Sequence, residues 1–125
     1  MKAVLDAVGT YVSTMGFGTL GTNLFLDTLP GTPYSCVGVF QYGGIRIEGD
    51  PLRRMDFQVK VRNSDHTAAA TKVSSLYAIF DRKWCCLSPT FNGNFQCLSE
   101  ISEKRVDENH HAVYTFIVEY KSVFV

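Results

Sequence analysis

The chain has 125 residues, with twelve Lys and Arg against twelve Asp and Glu, 46% hydrophobic and 13% aromatic residues. That is enough for one domain, 1–125, burying roughly 65% of its unfolded surface, and it excludes disorder, collagen-like repeats and two ordinary domains. Zero formal charge also removes the basic surplus by which autonomous DNA-binding proteins neutralise phosphates. From Lys2 to Met15, the apolar Val4, Leu5, Val8, Tyr11, Val12 and Met15 recur at helical spacing and predict an amphipathic helix. Gly9 costs that helix about 1 kcal/mol against Ala, and the glycines at 16, 18 and 21 end it. Residues 23–29 are short, apolar and stopped by Pro30-Gly31, which predicts a strand ending in a turn. Cys36 to Gln41 reads as a second strand, closed by Gly43-Gly44.

Residues 42–54 hold two glycine sites, Pro51 and a charge cluster, and Ile45 and Ile47 alternate with Arg46 and Glu48. This predicts a protruding loop or hairpin arm. In the strand that follows, Met55, Phe57, Val59 and Val61 alternate with Asp56, Gln58, Lys60 and Arg62, so one face meets a core and the other solvent or a partner. Asn63-Ser64-Asp65 supplies caps for a helix from about His66 to Arg82, with Ala69, Ala70, Val73, Leu76, Tyr77 and Phe80 at three-and-four spacing. Arg82 and Lys83 suit the negative pole of its dipole. After Trp84 an irregular stretch with an Asn92-Gly93 turn is expected. A strand from about Phe95 to Ser102 and a last one from about Ala112 to Val123 then flank a charged tip at 103–111. The order α-β-β-β-α-β-β predicts an α+β domain, a mostly antiparallel sheet with two helices packed on one face.

No catalytic constellation emerges. Cys36, Cys85, Cys86 and Cys97 match neither a disulfide framework nor a zinc ribbon, and adjacent Cys85 and Cys86 point to opposite faces of a strand. Free thiols in a reducing cytoplasm are expected. His66 falls at a helix start, and His110 and His111 on an exposed tip without recognised ligand spacing. The glycines at 16, 18 and 21 lack the Lys-Ser/Thr pair of a phosphate loop. No catalytic, cofactor or metal residue is therefore assigned. The N-terminus lacks a signal-like basic and apolar pattern, and no run of 18 apolar residues suggests a membrane span.

The order of landmarks carries more. A Leu24-Phe25 strand runs into Leu29-Pro30 and Pro33. A Val37-Gly38-Val39 strand ends in Gly43-Gly44. The alternating strand from Phe57 to Arg62 leads into an alanine-rich helix ending near Leu76-Tyr77-Ala78-Ile79-Phe80, with Ser88-Pro89 and an aromatic last strand beyond. In this order the chain resembles the tail terminator family of tailed bacteriophages, often labelled minor capsid or neck proteins. The resemblance implies a structural virion protein of the tail and neck, assembled in the host cytoplasm. It implies a homohexameric ring on the head-proximal end of the tail tube, which ends tube growth and joins the tail to the head connector. Its implied partners are further copies of itself, the tail tube protein and a head connector or completion protein. DNA would cross the lumen without sequence-specific binding; no cofactor and no membrane are implied. Two other readings stay open from the sequence: a head-completion or connector role in the same neck region, and a small cytosolic ligand-binding or enzymatic domain.

Charge adds an expectation about assembly. Residues 42–62 carry Arg46, Arg53, Arg54, Lys60 and Arg62 against three acids, whereas residues 100–125 carry five acids against three bases. Complementary surpluses suit the heterologous contacts that close rings. Arg46, Arg53, Arg54 and Arg62 are therefore expected at a subunit contact, facing Glu100, Glu103, Asp107 or Glu108 of a neighbour. Phe124, in the apolar end Val123-Phe124-Val125, is expected to dock on a neighbour or on the tube, the alternative being a fold-back onto its own subunit.

Overall fold

The computed structural model describes residues 2–28, 35–46, 52–63, 65–86, 92–105 and 112–123. In chain order the elements are α1 (Lys2–Thr14), β1 (Leu24–Leu26), β2 (Cys36–Arg46), β3 (Leu52–Arg62), α2 (His66–Phe80), β4 (Lys83–Cys86), β5 (Asn92–Cys97), β6 (Ser102–Arg105) and β7 (Ala112–Val123). They form the expected α+β domain.

The apolar stripe of α1 behaves as its spacing dictates, with Leu5, Val8 and Val12 buried. The helix closes on Gly16 at φ 90°: Phe17 N–H donates to the Val12 carbonyl and Gly16 N–H to that of Ser13. These two bonds cap orphan carbonyls around a left-handed glycine. Met15 therefore falls outside the helix and is 48% exposed, correcting its place on the stripe. Gly9 has a packing reason: a Cβ there would approach Leu26 Cδ2 to 2.9 Å, so the missing side chain lets α1 lie close against β1.

At α2 the cap is Asp65, whose carboxylate accepts from the amides of Thr67 and Ala68. Asn63 Oδ1 in turn accepts from Asp65 N–H. The helix stops at Phe80, earlier than expected, with Asp81 as its C-cap. Arg82 takes a left-handed φ of 55°, so it and Lys83 lie beyond the helix, and the chain reverses directly into β4. Of the irregular stretch expected after Trp84, residues 87–91 lie outside the described part, and Asn92-Gly93 opens β5 instead of forming a turn.

The strands form one mixed sheet in the order β1-β2-β3-β7-β5-β4, with β6 also against β7. All pairings are antiparallel except β1 with β2, so the first two strands are parallel neighbours and not a hairpin. Asp27, at φ 58°, ends β1 and ties it down: its amide donates to the Val39 carbonyl and its carboxylate accepts from Gln41 N–H. The arm expected at 42–54 is the distal half of the long β2–β3 pair, which reaches Arg46 opposite Arg53; residues 47–51 lie outside the described part.

The expected strand from Phe95 to Ser102 is divided. Cys97 ends β5 and Ser102 begins β6, both on the same edge of β7. Across the break Leu98 N–H donates to the Ile117 carbonyl, and Ser99 Oγ accepts from Ile117 N–H. A side chain thus replaces one backbone acceptor, and the β7 edge stays satisfied.

Register sorts the sheet into two faces. Val37 lies opposite Val61, and Val61 opposite Tyr114; Val39, Val59 and Phe116 make the next row inward, then Phe57, Val118 and Cys97. Both helices bury their stripes against this face. Its centre is aromatic: Phe80 meets Tyr11, Phe57 and Phe95 edge-on at centroid distances of 5.6, 5.4 and 5.0 Å. Tyr11 stacks on Phe95 at 5.4 Å and donates its hydroxyl to the Ile79 carbonyl. One cluster therefore joins α1, α2, β3 and β5.

Candidate assembly surfaces

Alternation puts the remaining side chains of β3 and β7 on the far face. Gln58, Lys60 and Arg62 lie opposite Ile117, Thr115 and Val113, and Phe40 on β2 extends the middle of this surface. Phe40, Lys60, Thr115 and Ile117 are each half-buried. Lys60 Nζ sits 5.2 Å from the centroid of the Phe40 ring, a cation over an aromatic face that also shields the ring from water. Arg62 donates to Cys36 Sγ at 3.5 Å.

At the distal end of the sheet the charges fall in rows. Asp56 lies opposite Glu119, and the next row pairs Arg54 with Lys121. Glu119 is only 6% exposed, and its carboxylate meets Lys121 Nζ at 3.3 Å. Acidic and basic rows therefore adjoin, and Glu119 is paired within the subunit by Lys121. One row further out, Arg46 lies opposite Arg53, and Arg53 opposite Ser122. Like charges directly opposed destabilise a ladder, and no acid shares that row.

The sequence-derived contact residues are spread along the whole sheet. Arg46, Arg53 and Arg54 occupy its distal end and Arg62 the opposite one. Glu100 is exposed in the β5–β6 break, and Glu103 lies opposite Tyr114. Asp107, Glu108 and Phe124 fall outside the described residues. Along β7, the position facing Arg54 and the one facing Glu103 are seven residues apart, about 24 Å at strand rise. These groups do not meet within a subunit. Lys121 and Glu119 were missed as part of the charged surface, because only the long-range register of β3 with β7 brings Lys121 opposite Arg54.

Cys36 and Cys97 hold protonated thiols at neutral pH. Burial, reinforced by the Asp81 charge, pushes the Cys97 thiol up to about 12, and Sγ contacts the Tyr77 carbonyl at 3.8 Å. Burial also raises Cys36, against the opposing pull of Arg62. Protonated thiols are poor nucleophiles. Among the described residues, no three His, Cys, Asp or Glu side chains gather as a metal site, and no helix is long and apolar enough to cross a membrane.

The family model of the bacteriophage tail terminator proteins matches residues 11–83, more than half of the chain. The chain belongs to that family. The matched segment runs from the last turn of α1 to the start of β4, and so takes in the β2–β3 arm and the whole of α2. Among solved structures, a chain from the virion of a native gene transfer agent particle is similar in fold to this tail terminator. The TM-score is 0.66 and the identity 13%, over 97% of this chain and 96% of that one. At that identity the likeness speaks for the fold. No curated protein matches at a significant level. As a tail terminator, the protein is a structural component of the phage virion tail.

Proposed function

We propose that this tail terminator assembles as a homohexameric ring on the head-proximal end of the tail tube. The ring ends tube growth, joins the tail to the head connector or completion protein, and passes DNA through its lumen without reading sequence; no catalytic step is involved. Family membership supports the site of action, and the virion origin of the structural neighbour supports an assembled state. The observation that carries the ring is the separation along β7. Arg53 and Arg54 at one end and Glu103 at the other cannot reach each other within a subunit, but they can in the head-to-tail contacts that close a ring.

In this reading Arg46, Arg53, Arg54 and Arg62 face Glu100, Glu103 and Asp107 of a neighbour, and Phe124 docks on the adjoining subunit or the tube. Native mass spectrometry with negative-stain imaging of the purified protein tests the ring: closed particles of six subunits are expected. The double variant Arg53→Glu, Arg54→Glu is expected to shift the population to smaller species at moderate salt. A wild-type protein that stays monomeric at every concentration overturns the ring, and a variant that assembles with an unchanged salt response overturns these contacts.

A further inference from the structure

The sheet has two backbone edges that the chain covers incompletely. On one side β1 pairs with β2 only from Val37 to Val39. The Asp27 carboxylate then caps Gln41 N–H, and among the described residues nothing pairs with the outer edge of β2 from there to Arg46. On the other side β4 ends the sheet, and its outer edge has no described partner. These edges lie level with one another. Arg46, Arg53, Ser122, Gly93 and Cys85 form one continuous row from β2 to β4, and Ile45, Arg54, Lys121, Asn94 and Trp84 form the next.

The open stretch of β2 has bonding groups to offer. Val37, Val39 and Gln41 direct their main-chain groups outward, to Asn23, to the Asp27 amide and to the Asp27 carboxylate. The register then shifts between Gln41 and Gly43, after which Gly43 and Ile45 continue the ladder with Asp56 and Arg54. Alternation therefore turns the main-chain groups of Gly44 and Arg46 outward. Soluble proteins usually block such edges with charge or proline. Here neither edge holds a proline, and charge stands only at their ends, Arg46 on β2 and Lys83 on β4, leaving Tyr42 to Ile45 and Trp84 to Cys86 uncharged.

From these observations we infer that the distal edge of β2 in one copy pairs with β4 of the next, continuing the sheet across the subunit boundary. Five successive strands at this level, β2, β3, β7, β5 and β4, alternate in direction, so β2 and β4 run the same way. Rotation about a ring axis preserves direction, and the seam is parallel, as β1 with β2 already is. The register shift and the two glycines supply the bend that closing a sheet into a cylinder requires. The inference rests on the ring reading above and specifies the contact that closes it.

Single variants Gly44→Cys, Ile45→Cys and Arg46→Cys, oxidised after assembly, test the seam, because native Cys85 and Cys86 lie on the facing edge. At least one is expected to give a ladder of covalent multimers on non-reducing gels. That ladder should vanish when Cys85 and Cys86 are also replaced by Ser, and should be absent from wild type. A second variant, Gly44→Pro, removes one outward amide while sparing the β2–β3 ladder, and is expected to abolish the ring with the monomer's melting temperature retained. If six-subunit rings form by mass but none of the three cysteine variants gives a ladder, the seam is overturned and the ring stands. If wild type shows no ring, both fall. If Gly44→Pro lowers monomer stability, the cysteine ladder alone decides.

Discussion

Removing the ring of Phe80 tests the proposed organisation of the core most directly. Phe80 is fully buried and meets three aromatic rings edge-on, from α1, β3 and β5. Phe80→Ala forfeits burial of the side chain and leaves a cavity, together costing about 3–5 kcal/mol. Edge-on aromatic pairs add roughly 0.5–1.5 kcal/mol each beyond burial, which places this site near the top of that range. Phe80→Leu keeps most of the apolar volume and loses only the ring contacts, so about 1–2.5 kcal/mol is expected. At roughly 3–5 °C per kcal/mol for a domain of this size, a loss of about 4–5 kcal/mol should make the alanine variant melt about 12–25 °C below wild type. Urea titration followed by circular dichroism and by the fluorescence of the single tryptophan measures both variants, with an unchanged m-value showing that the folded state is the same one. A loss under about 2 kcal/mol for Phe80→Ala, or equal losses for Ala and Leu, would refute the account of a cluster joining both helices to the sheet.

Other perturbations probe other parts of the domain. At Gly93 an added Cβ falls on the Lys121 carbonyl oxygen and within 2.6 Å of Tyr120 Cε2, so Gly93→Ala should cost about 3 kcal/mol or more by overpacking; a melting temperature within 2 °C of wild type, roughly half a kcal/mol, contradicts it. Asp65→Ala removes the acceptor of two amides at the start of α2 and should cost about 1 kcal/mol, whereas Asp65→Asn should cost much less; equal stabilities in urea would show that the cap is unimportant. Cys97, held near 12 against a usual value of 9.0, should resist iodoacetamide at pH 8.5 until the protein unfolds, as mass mapping can follow. Its folded pKa is raised, so the stability it contributes is complete below pH 9 and declines between pH 9 and 12 as the unfolded thiol ionises. Cys97→Ser should flatten that part of the stability profile, and an identical profile would discount the linkage.

Much of the fold was legible because local periodicity and burial agree. The alternation of Phe57, Val59 and Val61 identified the core face of β3, and Asn63-Ser64-Asp65 identified the start of α2. The misses have physical causes. Asn92-Gly93 has the composition of a turn, yet the glycine is needed because the β7 backbone lies where its side chain would be. Met15 fits the α1 stripe by spacing, but the left-handed Gly16 ends the helix before spacing applies. Parallel pairing of β1 with β2 depends on Asp27 bonding two residues of β2, a tertiary contact without a periodic signal. Among the expected contact residues, charge alone grouped Arg46, Arg53, Arg54 and Arg62. Register divides them, setting Arg54 beside its own acidic row and Arg62 at the far end of the strand.

The alternation of β3 from Asp56 to Arg62, and of the stretch of β7 that faces it, also has a genetic consequence. Folding draws on odd positions of β3 and even positions of β7, where Phe57, Val59, Val61, Phe116 and Val118 are sealed under the helices. From Asp56 to Arg62 and along the stretch of β7 that faces it, whatever lies outside the subunit meets the intervening letters. A mutational screen of either strand should therefore return two phenotypes in alternation along the gene: lost soluble protein at one codon, and soluble protein with altered assembly at the next. The two demands occupy separate registers of the same few codons, so a lineage can rewrite what its subunits touch while leaving untouched what holds each of them together.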